Sequence, residues 1–132
     1  MHTLLRTLFL SVCLIVPTYA VAQERVDHYQ GKQAENVDQA TANLREANAE
    51  LAELLSGEVG EYDIHDIHSL SYTLEESLAR LINETEDPER VEQLEHLLAE
   101  VEDMHFQSEG LDREGVIDHG TMYLNGISKL ID

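Results

Sequence analysis

The stretch Ile64-His65-Asp66-Ile67-His68-Ser69-Leu70-Ser71-Tyr72-Thr73-Leu74-Glu75-Glu76-Ser77-Leu78-Ala79-Arg80-Leu81 decides how this chain is read. Its apolar residues Ile64, Ile67, Leu70, Leu74, Leu78 and Leu81 recur three or four apart, the spacing of one stripe on an amphipathic helix. Beside that stripe run His65, His68, Tyr72 and Glu75, the densest set of proton-exchanging and metal-capable groups in the chain.

Working outward, the same period recurs on both sides. Upstream, Asn36-Val37-Asp38-Gln39 reads as a helix start, with Asn36 as cap and Gln39 reaching back. Val37, Ala40, Leu44, Ala47, Leu51, Leu54 and Leu55 then share a face, and Gly57 is expected to stop the helix in the left-handed conformation. Downstream, Asp87-Pro88 is the clearest boundary. Asp87 can cap free amides, and Pro88 suits a first turn that needs no donor. Val91, Leu94, Leu97, Leu98, Val101 and Met104 form the third stripe, which Gly110 ends. Asp112 caps a fourth, carrying Val116, Ile117, Tyr123, Leu124, Ile127, Leu130 and Ile131.

The expected helices are therefore 36–56, 61–84, 88–109 and 112–131, each of about 20 to 24 residues and about 30 to 36 Å long. Links this short between helices this long force antiparallel neighbours. The fold class is all-α: an up-down-up-down antiparallel four-helix bundle. The chain of 132 residues supports one domain. Gly120 falls within the fourth stripe, where a missing side chain permits close helix approach or leaves a pocket.

The first residues read differently. Met1 to Thr7 carries Arg6 and no acid, Leu8 to Val16 is apolar, Pro17 ends the run, and Ala20-Val21-Ala22 has the small-x-small pattern of a cleavage site. A signal peptide over 1–22, cut after Ala22, is expected, followed by an irregular arm over 23–35 anchored by Tyr29. The apolar run is well short of the ~20 residues a membrane span needs. The one cysteine, Cys13, lies inside the signal, preceded by Val12 rather than a small residue, so lipidation is not expected. The exported chain would have no disulfide, thiolate ligand or cysteine nucleophile. Its expected location is the periplasm or outside the cell.

Without Arg6 the chain holds 7 basic against 27 acidic residues, a formal charge of −20. Such a surface repels phosphates, which argues against nucleic acid as a partner and against anionic membranes. It attracts cations and basic proteins, while dense carboxylates also keep a protein hydrated.

If the second and third helices turn at 85–87, facing residues have numbers summing to about 173. His68 and His105 meet that condition. At about 100° per residue His105 lies near the middle of its apolar stripe, His68 at the edge of its own, and Tyr72 and Glu75 share that edge. His65 turns further out, His96 points away from the core, His119 stands at a stripe edge, and His28 is in the arm. His68 with His105, joined by His65, Glu102 or Glu109 one turn away, would give zinc, copper or nickel a nitrogen-and-oxygen ligand set. The structural alternative is a core-edge histidine pair hydrogen-bonded to Glu75, Glu102 or Tyr72, with no cofactor. Only one Glu-x-x-His occurs, Glu102 with His105, whereas di-iron bundles use two. Haem is less suited still, since adjacent helices pack about 8–10 Å apart. Asp66, His68, Ser69 and Ser71 supply triad residue types, but at that spacing they diverge around a helix, and no phosphate loop or nucleophile elbow occurs. A non-catalytic binding or interaction protein is the expected class.

Ile67-His68-Ser69-Leu70-Ser71-Tyr72-Thr73-Leu74-Glu75, Met104-His105-Phe106-Gln107-Ser108-Glu109 and Val26-Asp27-His28-Tyr29-Gln30-Gly31-Lys32 together resemble an uncharacterised family of small exported bacterial proteins, a domain of unknown function. The resemblance covers nearly the whole chain. It implies a periplasmic helical protein and says nothing of activity, but its recurring pieces include the matches to His68, Tyr72, Glu75, His105 and Glu109. Soluble periplasmic haem bundles share the size and topology yet ligate from their first and last helices. The first helix here has neither histidine nor methionine.

Overall fold

The computed structural model describes residues 30–131; the expected signal peptide with its cleavage after Ala22, Cys13, His28 and the expected Tyr29 anchor lie outside them. Four helices follow one another: α1 (Val37–Leu55), α2 (Glu61–Glu84), α3 (Pro88–Glu109) and α4 (Arg113–Ile127). Each packs along its sequence neighbour, and α4 closes back on α1 over a smaller contact, as an up-down-up-down bundle requires. No strand occurs among the described residues, and no described helix is long and apolar enough to cross a membrane.

The helix ends follow from side-chain capping. Asn36 Oδ1 accepts from the Gln39 amide at 2.9 Å, and Gln39 Oε1 accepts in turn from the Glu35 amide at 2.9 Å. Asp63 Oδ2 reaches back to the Gly60 amide at 2.7 Å. Asp87 Oδ1 accepts from the Glu89 amide at 3.1 Å, just behind Pro88. Asp112 takes the same part for α4.

Two of the expected helix ends need correction. Gly57 is not left-handed, since no described glycine has a positive φ; Ser56 ends α1 instead, its amide and its hydroxyl both donating to the Glu53 carbonyl. The left-handed position falls after α3, on Leu111 with φ 54°. There the Asp112 amide bonds the Gln107 carbonyl and the Leu111 amide that of Ser108, the paired closure of a Schellman motif. Finally, α4 has 15 residues and stops at Ile127, so the helices are unequal at 19, 24, 22 and 15. Ser128 to Leu130 continue as turns, and the Leu130 carbonyl accepts from Arg90 Nη2 at 3.1 Å. Leu130 and Ile131 thus pack on the core from outside the helix.

The core is leucine, isoleucine, valine and alanine, joined by Met104 and the fully buried Tyr123. Val37, expected on the first stripe, is 41% exposed. Gly120 provides close approach rather than a pocket: a Cβ there would stand 2.7 Å from Leu55 Cδ1 and 3.1 Å from Met104 Sδ.

Residues 30–35 form a strap without helix or strand. The Lys32 amide donates to Thr73 Oγ1 at 3.0 Å, and Arg80 Nε donates to the Ala34 carbonyl at 3.1 Å. Gly31 lies so close to α2 that a Cβ would meet the backbone of Tyr72 and Thr73 at 2.4 Å. Only glycine fits there.

Candidate functional site

The α2 residues His68, Tyr72 and Glu75 recur four and three apart and so share one helical edge, which faces α3. From α3, His105 and Ser108 point back across the seam. The His68 and His105 ring centroids are 4.7 Å apart with nearly perpendicular planes. Tyr72 packs edge-on against both, 4.5 Å from His105 and 5.4 Å from His68. The equal height expected of the two histidines holds in the structure.

The hydrogen bonds assign the protons. Ser108 donates to the His105 carbonyl at 2.5 Å, so its oxygen accepts from His68 Nδ1–H at 3.0 Å. That tautomer makes His68 Nε2 an acceptor, and the Tyr72 hydroxyl stands 3.4 Å from it. His105 Nδ1 donates to Glu75 Oε1 at 2.6 Å. The other ring nitrogen of His105, Nε2, is buried and has no hydrogen-bond partner among the described residues. A buried imidazole nitrogen without a partner is costly, and here it sits beside a second imidazole.

The other expected members stand elsewhere. His65 is exposed, its Nε2 4.0 Å from Glu61 on its own helix. Glu102 and Glu109 are exposed and make no hydrogen bond or ion pair among the described residues. The carboxylate against His105 is Glu75, reached across the seam rather than along α3. No group of three or more His, Asp or Glu among the described residues is arranged to hold a metal ion. The site therefore offers two imidazoles and no wider ligand shell.

Ser108 carries no role in the sequence reading beyond its place in the phrase Met104–Glu109. A second cluster also escaped notice. Glu100, 9% exposed, accepts from His119 Nδ1 across the α3–α4 seam at 2.9 Å, and His96 Nδ1 lies 3.9 Å from its other oxygen. The α1–α4 seam carries a neutral pair. Tyr123 donates to Asn48 Oδ1 at 2.7 Å, and burial pushes its phenol well above the usual tyrosine range, the Asn48 bond partly opposing it.

A family model described as a family of unknown function, DUF6746, matches residues 1–132. The chain belongs to the DUF6746 family. No curated protein and no solved structure matches it. The three phrases quoted above fall within the matched range, so in this member of DUF6746 two of them converge at the α2–α3 seam.

Proposed function

We propose that this DUF6746 protein is exported after cleavage behind Ala22 and acts in the periplasm as an acidic, non-catalytic binding protein. The observation that carries the reading is the state of Ser108, whose hydroxyl oxygen accepts from the His68 imidazole. It is 2% exposed, and its proton is given to the His105 carbonyl. A nucleophile needs a reachable oxygen whose proton its base can take. That state supports a holding role for the seam. The formal charge of −20 favours basic proteins or cations as partners.

Crosslinking in intact cells followed by recovery of the protein tests this. A basic partner is the expected product, and recovery of self-contacts alone would overturn the interaction role. Hydrolysis of ester or amide substrates that Ser108→Ala abolishes would overturn the non-catalytic one.

A second reading, a metal-binding bundle, is favoured by the unpartnered Nε2 of His105 beside His68. Haem fits it less well, because the two rings pack directly on each other and on Tyr72. Metal analysis and an absorption spectrum of protein isolated from its native source separate these. Protein without bound metal and without a Soret band would sink the second reading.

A further inference from the structure

We propose that the outer groove between α3 and α4 is the surface on which this protein takes a basic amphipathic helix of a partner protein, with Met122 and Leu130 receiving its apolar face and Glu92 its cations. The proposal rests on the interaction reading above and names its surface and the kind of partner.

Three observations carry it. The first is the groove itself, a volume of about 590 Å³ on the α3–α4 seam. Its floor is low and apolar, because Leu97 lies where a side chain at position 126 would stand: a Cβ on Gly126 would be 2.4 Å from Leu97 Cδ2. The second is Met122, which lines the groove together with Leu130 and is 52% exposed. A single exposed apolar side chain is ordinary, but this one borders a floor that is apolar as well. Methionine is unbranched and polarizable, so it repacks against partner side chains of different shape. The third is the acidic rim. Glu92 lines the groove; Glu89 lies three residues before it on α3, and Asp118 four before Met122 on α4, so both share the faces beside it. All three carboxylates are exposed and make no ion pair among the described residues. Lys129 is the one lysine or arginine lining the groove, a single ammonium against them.

Charge and shape select the occupant. A carboxylate-headed amphiphile would be repelled by that rim, and so would a second copy of this acidic chain. The groove is also open on its outer side, since Glu92, Met122, Asn125 and Lys129 are all exposed. A free small ligand buries most of its surface in its site, whereas a helix laid in a groove buries one face and leaves the other in water. Anchors three and four residues apart on such a helix would seat against Leu97, Met122 and Leu130. Lysine or arginine beside those anchors would meet Glu92, Glu89 and Asp118. The strongly negative charge of the chain speeds the encounter, and the apolar contact fixes where it ends.

The test is fluorescence anisotropy of the mature full chain with a labelled model peptide of about 15 residues, leucine and lysine only, its leucines spaced to form one helical face. A second peptide of the same composition has its leucines scattered around the helix. The patterned peptide should bind one per chain, about 10-fold more tightly than the scattered one, and should hold at salt that releases the other. Amide NMR shifts should move at Leu97, Met122 and Gly126. Met122→Glu should weaken the patterned peptide about 10-fold although it adds a negative charge, with circular dichroism confirming a folded chain. Attraction by charge alone predicts the opposite. Glu92→Gln should weaken it about 2- to 5-fold. Tyr62→Ala, at an exposed aromatic on α2, should leave it unchanged. Equal binding of the two peptides, or undiminished binding by Met122→Glu, would overturn the groove and leave a charge-driven interaction role standing. A fluorescent fatty-acid probe that binds more tightly than the peptide and is lost in Lys129→Gln would overturn the choice of occupant. Failure of both peptides at low salt would remove the groove, while the crosslinking result judges the interaction role separately.

Discussion

The His105–Glu75 and His119–Glu100 pairs make the same bond in different seams. In each, an imidazole Nδ1 meets a glutamate oxygen across two helices, at 2.6 Å between α3 and α2 and at 2.9 Å between α4 and α3. The surroundings differ. The His105 side chain is 14% exposed, has aromatic rings on two sides and keeps a buried nitrogen without a partner among the described residues. The His119 side chain is 28% exposed, and its glutamate is shared with the largely exposed His96. The second arrangement has the ordinary form of a seam tie. The first leaves a polar atom unsatisfied where water is excluded, which folding alone does not favour. A histidine–carboxylate bond is thus weak evidence of a site, and the fate of the other ring nitrogen is what separates the two.

Breaking each pair tests that difference. Glu75→Leu strands both nitrogens of His105 in the seam and should cost about 2–3 kcal/mol. That corresponds to a Tm lower by roughly 10 °C or more in a domain this size. Restoring an apolar partner with Glu75→Leu and His105→Leu together should recover most of the loss in a thermal melt. Glu100→Leu should cost less, about 1–1.5 kcal/mol, because His119 and His96 can turn to water. Equal losses from the two single variants would erase the distinction drawn here.

The neutral Tyr123–Asn48 pair supplies a reference without charge. Tyr123→Phe should cost about 1 kcal/mol at neutral pH, measured by denaturant unfolding. Its pH dependence has a definite sign. The folded phenol titrates above the unfolded one, so its contribution is full below the unfolded value of about 10 and is lost as pH rises beyond it. Tyr123→Phe should therefore flatten part of the fall in stability above about pH 10, relative to the unaltered chain. An unchanged alkaline slope would mean that the phenol does not report on folding.

The smallest expected effect lies outside every seam. Leu111→Gly relieves a left-handed backbone at a half-exposed position and should stabilise by about 0.5 kcal/mol, with no change at either histidine pair. A loss of stability there would show that Leu111 contributes packing worth more than the strain.

Much of this architecture was legible in the sequence for identifiable reasons. The start of α3 was readable because Asp87-Pro88 leaves an unambiguous signal beside a long apolar stripe. The facing of His68 and His105 followed from the short link over 85–87 and helix rise alone. The end of α4 was not legible, since Leu130 and Ile131 keep the helical period while packing from turns. For His105 the sequence offered Glu75 as one of three hydrogen-bond partners, and Glu102 and Glu109 as fellow ligands. Glu102 and Glu109 lie about 40 to 60° from it around the same helix, so periodicity placed them beside it. In the structure they stand on the solvent side, and Glu75 comes from across the seam. Ser108 and Glu100 gave no signal, because one serine or glutamate in a helix looks like any other until its partner helix is placed.

The strap over residues 30–35 has a consequence for the tempo of the molecule. It ties to Thr73 and, through Arg80, to α2, whose other sides already pack on α1 and α3. Gly31 rests directly on the Tyr72–Thr73 peptide. The middle of α2 is thus enclosed on three sides, while α4 is short and closes the bundle with a smaller contact. Amide hydrogens from Leu70 to Leu78 should exchange with solvent only when the whole chain opens, and those of α4 should exchange earlier through partial opening. His68, Tyr72 and Glu75 would then be carried by the last part of the protein to come apart.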